Sequence, residues 1–111
     1  MSLTACGHTE IPPGAEYPLP TSYVPSDHKL NWTRGRKLRS CQIIYISGGR
    51  GTFENKQSGS LEVRAPALIP LFPNEWHRYR PTPHIGWTED WIEFDSDWIC
   101  NSSDSLQKKH P

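Results

Sequence analysis

The strongest β-strand signal in the chain is the stretch Cys41-Gln42-Ile43-Ile44-Tyr45-Ile46. Apolar side chains stand at both odd and even positions, a pattern typical of a strand that is buried on both of its faces. We therefore predict that this stretch is a central strand with which neighbouring segments pair. No segment keeps a helical apolar period beyond about two turns, so the sequence favours an all-β fold.

Turn signals on both sides of this stretch divide the chain into short strands. A strand is predicted over residues 30–33, before the central one. After it, the glycine-rich residues 47–51 accept positive φ angles and predict a reversal into a strand over residues 52–54. Another reversal precedes an alternating strand over residues 60–64. This spacing of short strands is expected of a sandwich or a barrel.

The second half of the chain predicts three further strands. Pro70 lies inside the apolar residues 68–72, which confines that segment to an edge strand or a kinked strand. Residues 76–80 and 87–94 follow, and the second of these is the last clear strand in the sequence.

Functional side chains are concentrated on the last two predicted strands. Alternation places Trp87, Glu89 and Trp91 on one face of the final strand. His77 and Tyr79 share a face of the strand before it. If both faces point into a barrel, its interior combines aromatic rings with fixed hydrogen-bonding groups. A sugar needs that combination for its C–H faces and its hydroxyl groups.

These residues also have structural interpretations. Trp87 is large enough to serve as ordinary core or rim packing in a small barrel. A carboxylate between two tryptophans on an inward face is costly unless it is paired or solvated. Glu89 is therefore expected to contact a ligand, to pair with an arginine such as Arg34 or Arg36, or to lie at the surface in a different register.

His77 is the residue that raises the question of a metal site. Metal sites in barrels of this kind need ligands such as His-x-His with a carboxylate on neighbouring strands. The sequence has no His-x-His, and its other histidines fall in the predicted arm, loops and tail. We therefore expect no metal and no cofactor, with His77 bonded to a loop or acting as a pocket donor. No catalytic triad order stands in a recognisable context, so we also expect no enzyme.

Composition limits the domain organisation and the partners. A chain of 111 residues suits one domain, and its twelve basic and twelve acidic residues do not make the basic footprint of a nucleic-acid-binding surface. Three cysteines without short-range spacing fit a reducing cytoplasm. The sequence shows neither an apolar run of membrane-spanning length nor a signal-peptide pattern, so we expect no membrane partner.

The two ends of the chain differ in composition from its middle. Five prolines fall within the first 25 residues, so we predict an extended N-terminal arm over residues 1–28. The arm is either docked through aromatic side chains such as Tyr17 or disordered. Residues 29–96 are predicted to form the barrel, and residues 97–111 a polar tail or the stub of a linker.

Three motifs together resemble the N-terminal domain of AraC-type bacterial transcription regulators. They are Gly49-Arg50-Gly51, the Pro-x-x-x-His-x-Tyr turn over residues 73–79, and the Gly-Trp-x-x-x-Trp-Ile-x-Phe strand over residues 86–94. The likeness covers residues 30–95. It implies a cupin-type double-stranded β-helix, which is a jelly-roll barrel. In that family the barrel binds a small effector, often a sugar, and an N-terminal arm can close over the opening.

The resemblance also implies contact residues and partners. The pocket positions of the family fall at Arg34, Tyr79, Glu89 and Trp91. Adding the residues found by strand alternation gives the predicted ligand set, which is Arg34, His77, Tyr79, Trp87, Glu89 and Trp91. Family members continue into dimerisation helices and helix-turn-helix units, which implies DNA binding only through a region outside this chain and leaves a homodimer open.

The functional prediction is a cytoplasmic domain that binds a small-molecule effector, and the resemblance indicates that this effector is a carbohydrate. One alternative is a stand-alone cupin enzyme or isomerase, which would require a convergent set of metal ligands. A second is an extracellular carbohydrate-binding module, in which the aromatic face would point outward.

Overall fold

All regular elements of the structure, a computed structural model that describes residues 3–18, 30 and 32–95, are β-strands. The strands are β1 (Leu3–Ile11), β2 (Cys41–Asn55), β3 (Gly59–Arg64), β4 (Ala67–Leu71), β5 (His77–Pro81) and β6 (Trp87–Phe94). Every pairing between them is antiparallel. The prediction of an all-β fold is therefore confirmed, and no helix that could cross a membrane lies in this part of the chain.

The long strand β2 organises the sheets. Its first half pairs with β6 on one side and with β4 on the other. Its second half pairs with β3 and β5. Strand β1 extends the first group of strands by pairing with β6. Because β2 contributes to both groups, the prediction that residues 41–46 form a central strand is confirmed.

The glycine-rich segment after residue 46 does not reverse the chain, so that prediction is wrong. Strand β2 continues to Asn55, with a bulge between Ile46 and Gly48 and a φ of 94° at Gly49. A side chain at Gly51 would collide with the Arg80 carbonyl group and the Trp87 ring. These glycines therefore bend β2 and let other groups approach its backbone closely.

The predicted strand over residues 30–33 is also wrong, because residues 32–34 form a turn. The Trp32 carbonyl accepts a hydrogen bond of 2.8 Å from Arg78, and the Trp32 ring lies under the Arg78 and Arg80 guanidinium groups. Residue 32 thus packs on the outer face of β5 instead of entering a β-ladder. Within the described residues 32–40, it is Arg36 that forms a β-bridge, with His77.

The sheet begins inside the predicted N-terminal arm. Strand β1 is an edge strand, and its residues from Cys6 to Ile11 pair in register with Ile92 to Trp87. The chain then turns back, and the Gly14 amide donates to the Pro83 carbonyl at 2.5 Å. This turn brings Tyr17 against the core. The rest of the predicted arm and the predicted tail, residues 97–111, lie outside the described residues.

The hydrophobic core lies between the two groups of strands. Its most deeply buried members include Ile44 and Ile46 from β2 and Leu71 from β4. Phe53, Val63 and Ile69 complete its aliphatic and aromatic packing. The core reaches Tyr79 of β5 and Trp87 of β6, so the residues predicted to bind a ligand border it directly.

Candidate functional site

The alternation predicted for the last two strands is present in the structure. Trp87 and Glu89 are 3% and 6% exposed on β6, whereas Ile92 on the opposite face is 36% exposed. His77 and Tyr79 are both buried on β5, and Arg80 on its other face is exposed. The two faces therefore point inward, towards the core between the two groups of strands, and Glu89 does not lie at the surface.

Arg36 connects His77 to Tyr79 inside the structure. Its Nε donates to His77 Nε2 at 2.8 Å, and its Nη2 donates to the Tyr79 hydroxyl at 2.6 Å. The β-bridge between Arg36 and His77 holds the guanidinium in this position, with backbone hydrogen bonds of 2.9 and 3.0 Å. A charge-assisted contact of this kind is strong because it satisfies groups that have lost their water.

His77 is held as a neutral imidazole. Because Nε2 accepts from Arg36, Nδ1 carries the proton and donates to the Glu75 carbonyl at 3.2 Å. Burial, followed by the positive charge of Arg36, lowers the pKa of His77 to about 4. Both ring nitrogens are thus engaged in structural hydrogen bonds. Among the described residues, no group of three histidine, cysteine or acidic side chains could hold a metal ion.

Three aromatic rings meet above the core. The Tyr17 ring centroid lies 6.3 Å from that of Tyr79 and 6.0 Å from that of Trp87, and Tyr79 and Trp87 are 6.2 Å apart. Tyr17 meets Trp87 edge to face, the arrangement that aromatic quadrupoles favour. We call these residues the aromatic cluster. Burial raises the pKa of Tyr79 to about 12, so its phenol is uncharged at neutral pH.

Glu89 lies against this cluster and accepts a hydrogen bond from it. The Tyr17 hydroxyl donates to Glu89 Oε2 at 3.2 Å. Burial raises the pKa of the Glu89 carboxyl group, while the Tyr17 hydrogen bond, the nearby Trp87 indole and the charge of Arg36 oppose that rise. A buried acceptor with a raised pKa is a typical feature of binding sites.

Trp87 has a buried polar atom directed into the same region. Its Nε1 is buried without a hydrogen bond of full geometry, and the indole lies near enough to Glu89 for a weaker hydrogen-bonding interaction that lowers the pKa of that carboxyl group. Its ring packs on the bare backbone of Gly51. A buried donor that has no hydrogen-bond partner is costly unless another group reaches it.

Trp91 lies farther along the same face of β6. Its indole packs over Gly7 of β1, where an added Cβ would come within 2.5 Å of Trp91 Nε1. The cross-strand neighbours of Trp91 are Gly7 and Ile44, and its ring is partly buried against the core. Trp91 is therefore on the predicted face but is separate from the aromatic cluster.

Arg34, like Trp91, is a predicted site residue that lies apart from the aromatic cluster. It is exposed, and its backbone carbonyl accepts a hydrogen bond of 2.8 Å from Trp76 Nε1. Arg36, two positions later, is the arginine that reaches Tyr79 and His77. The sequence indicates Arg36 only as one of two arginine partners for Glu89.

Tyr17 is the main residue that sequence reasoning did not place in the site. Its aromatic character in a proline-rich arm suggested docking but not a target. The turn at residues 12–15 and the hydrogen bond from Gly14 to Pro83 direct the chain over β6. Beside Tyr17 lies a partly open cavity of about 140 Å³, lined mainly by Ile11, Ala15, Tyr17, Pro81 and Gly86.

A second buried carboxylate on β6 is satisfied by its own neighbours. Glu93 is 7% exposed and accepts hydrogen bonds from Ser40 at 2.6 Å and from Thr4 at 3.0 Å. Gln42 lies 3.5 Å from the same carboxylate. These contacts fasten β1 and β2 to the end of β6, which gives Glu93 a structural role.

Comparison with known proteins shows the family of the chain. A family model described as the AraC-like ligand binding domain matches residues 21–111. No curated protein matches the sequence. Among solved structures, the chain is similar to a cupin-like protein from Thermotoga maritima, with a TM-score of 0.46 and 16% sequence identity over 50% of this chain. The match spans 42% of that protein's chain.

Proposed function

Because the chain belongs to the family of AraC-like ligand-binding domains, we propose that it binds a small-molecule effector on the inner face of β5 and β6. In this proposal the effector is a carbohydrate, and its binding regulates a bacterial transcription factor in the cytoplasm. DNA binding is assigned to another region of the full-length protein, and a homodimer is the proposed assembly. The domain itself is proposed to be a sensor and not an enzyme.

The observation that carries this proposal is the contact between Glu89 and the aromatic cluster. A sugar presents apolar C–H faces and several hydroxyl groups, so it requires rings beside fixed acceptors and donors. Tyr79 and Trp87 supply rings, Glu89 supplies an acceptor, and Trp87 Nε1 is a buried donor. The inward direction of these groups favours an interior site over a platform on the outside of the barrel.

Thermal unfolding of the domain against a panel of neutral mono- and oligosaccharides tests this function. A ligand at 100 times its dissociation constant adds about 2.7 kcal/mol to the stability of the folded state. We expect one sugar to raise the melting temperature of the wild-type protein. The shift should be lost in Glu89→Gln and should persist in Glu62→Gln, whose carboxylate lies on the outside between Arg50 and Arg64.

Two results would contradict the proposal. One is the absence of any shift across the sugar panel. The other is a shift that survives Glu89→Gln unchanged, which would locate the binding elsewhere. A shift that depends on an added divalent metal, with turnover of the sugar, would favour a cupin enzyme instead.

A further inference from the structure

Tyr17 occupies the centre of the site described above. Its phenol contacts three of the predicted ligand residues, with a hydrogen bond to Glu89 and ring contacts to Tyr79 and Trp87. Its side chain also lines the adjoining cavity of about 140 Å³. The Tyr17 ring therefore lies between that cavity and the inward-facing groups of β5 and β6.

The groups around the phenol define what could replace it. Glu89 Oε2 accepts a hydrogen bond from the Tyr17 hydroxyl, so a replacement must carry a donor at that point. The guanidinium of Arg36 directs Nε and Nη2 to His77 and Tyr79. A carboxylate placed at the Tyr17 hydroxyl position would meet the Glu89 carboxylate, and two like charges in a desolvated site repel strongly.

Shape imposes a second requirement. Tyr79 and Trp87 present their rings to the phenol at centroid distances of 6.3 and 6.0 Å. A flat or chair-shaped ring keeps these contacts, whereas a linear chain does not fill the same space. The buried Trp87 Nε1 adds a donor from which an oxygen of the incoming ring could accept a hydrogen bond.

We infer that the site takes a neutral ring bearing a hydroxyl donor in the position of the Tyr17 phenol, so that effector binding and Tyr17 docking exclude one another. This inference rests on the proposed function, because it names the ligand class of the same site. It differs from the arrangement implied by the resemblance, in which the arm closes over a bound effector. Here the effector displaces the arm residue.

The arm has the connections needed for such an exchange. Among the described residues, the Gly14 amide bonds the turn to Pro83 at 2.5 Å, and the Ala15 amide bonds to Pro12 within the turn at 3.1 Å. Surface segments of this kind open at a lower free-energy cost than core strands. Loss of the Tyr17 contacts would free the turn while leaving the β1 pairing with β6 in place.

Chemical rescue of Tyr17→Ala by p-cresol tests the inference. The substitution removes the phenol, and p-cresol is the tyrosine side chain as a free molecule. Cavities made by truncating a large side chain can bind the matching small ring. We expect p-cresol to raise the melting temperature of Tyr17→Ala in a dose-dependent way. Toluene, which lacks the hydroxyl, and p-toluate, which carries a carboxylate, should give smaller shifts.

Tyr45→Ala is the matched control, because Tyr45 is a tyrosine on the outer face of β2 and is 42% exposed. Its melting temperature should not respond to p-cresol. Equal shifts in Tyr17→Ala and Tyr45→Ala would overturn the inference, as would equal rescue by toluene and p-cresol.

The conservative variant Tyr17→Phe covers the case in which Tyr17→Ala does not fold. It keeps the ring and removes the hydrogen bond to Glu89, so the arm becomes a weaker competitor. Any sugar that binds the wild-type protein should then bind Tyr17→Phe several-fold more tightly, because a larger fraction of molecules has an accessible site. Weaker binding by Tyr17→Phe would show that the arm assists the effector and would overturn the inference.

The two proposals can fail separately. If p-cresol rescues Tyr17→Ala but no sugar binds, the carbohydrate effector is excluded, and a neutral ring with a hydroxyl donor remains the ligand class. If a sugar binds through Glu89 but p-cresol gives no rescue, the proposed effector function stands. The inference that the effector competes with Tyr17 is then excluded.

Discussion

The Tyr17 hydroxyl lies 3.2 Å from Oε2 of Glu89, and this hydrogen bond joins residues that are 72 positions apart in the chain. It links the N-terminal arm to the last strand of the barrel at the point where three aromatic rings meet. The carboxylate has lost most of its water, so the phenol replaces part of its hydration. The position of the arm and the protonation state of Glu89 are therefore coupled.

Removing this hydrogen bond should destabilise the domain in a way that depends on Glu89. Tyr17→Phe is expected to lower the free energy of unfolding by about 1–2 kcal/mol at neutral pH, because a buried carboxylate loses its donor. The effect should be much smaller in a Glu89→Gln background, measured by urea denaturation as a double-mutant cycle. Equal losses in both backgrounds would mean that the two side chains are not coupled.

Glu89 should make stability depend on pH in the acidic range. Its pKa is raised in the folded state, mainly by burial. The stability that it contributes is therefore complete below its unfolded pKa and is lost as pH rises through the folded value. Glu89→Gln should gain stability relative to the wild-type protein over the pH range that begins at the ordinary carboxyl pKa and extends through the raised folded value. A difference between the two proteins that is constant over this range would contradict the raised pKa.

Arg36 and Arg34 provide a matched pair of arginine substitutions. Arg36→Ala leaves the buried His77 Nε2 and the Tyr79 hydroxyl without their donor, and we expect a loss of about 2–4 kcal/mol. Arg34→Ala keeps the backbone carbonyl that accepts from Trp76 and removes a side chain that lies at the surface, so we expect a smaller loss than for Arg36→Ala. Denaturant unfolding measures both. Similar losses in the two variants would refute the assignment of Arg36 as the interior arginine.

Protonation of His77 should lower the free energy of unfolding as the pH falls below neutrality. Burial and the charge of Arg36 lower its pKa to about 4 in the folded state, below the ordinary value of 6.5. The stability due to neutral His77 is present above pH 6.5 and is lost as pH falls towards 4. The whole change amounts to about 3 kcal/mol. Subtracting the pH profile of His77→Gln removes the contribution of the carboxylates, and a flat difference would contradict the neutral imidazole.

Gly7 is expected to be intolerant of a side chain, because its bare backbone lies under the Trp91 indole. The added methyl group of Gly7→Ala would approach Trp91 Nε1 within 2.5 Å, and overpacking of this kind costs about 1–3 kcal/mol. Gly48→Ala is the control, since its Cβ would meet nothing closer than the Thr88 hydroxyl at 3.9 Å. Melting temperatures should separate the two variants, and equal tolerance would contradict the packing of Trp91.

The sequence was most informative where alternation is strict. The faces of β5 and β6 could be read directly, because Tyr79, Trp87 and Glu89 are buried while Ile92 is not. The course of β2 could not be read in the same way. Glycine permits both a reversal and a bulge, and the pairing of Gly48 and Gly49 with β6 is a long-range contact that the local pattern does not specify.

The contacts of Tyr17 and Arg36 depend on parts of the chain that meet only in the folded protein. Nothing in the local sequence around Tyr17 specifies Glu89 as its partner, because the turn at residues 12–15 and the loop at Pro83 set its direction. The choice between Arg34 and Arg36 likewise depends on a single bridge to His77. Strand alternation predicts a face, whereas long-range docking decides which side chains complete it.

The most direct test of an interior effector site is to observe the indole N–H signals by NMR while a stabilising sugar is added. Variants in which each tryptophan is replaced by phenylalanine assign the signals. Trp87 and Trp91 lie on the inner face of β6, whereas Trp32 packs with Arg78 and Arg80 on the outside of β5. An interior site predicts that the Trp87 signal shifts strongly and that the Trp32 signal does not. A shift confined to Trp32 and its neighbour Trp76 would contradict the interior site and place the ligand on the outer face.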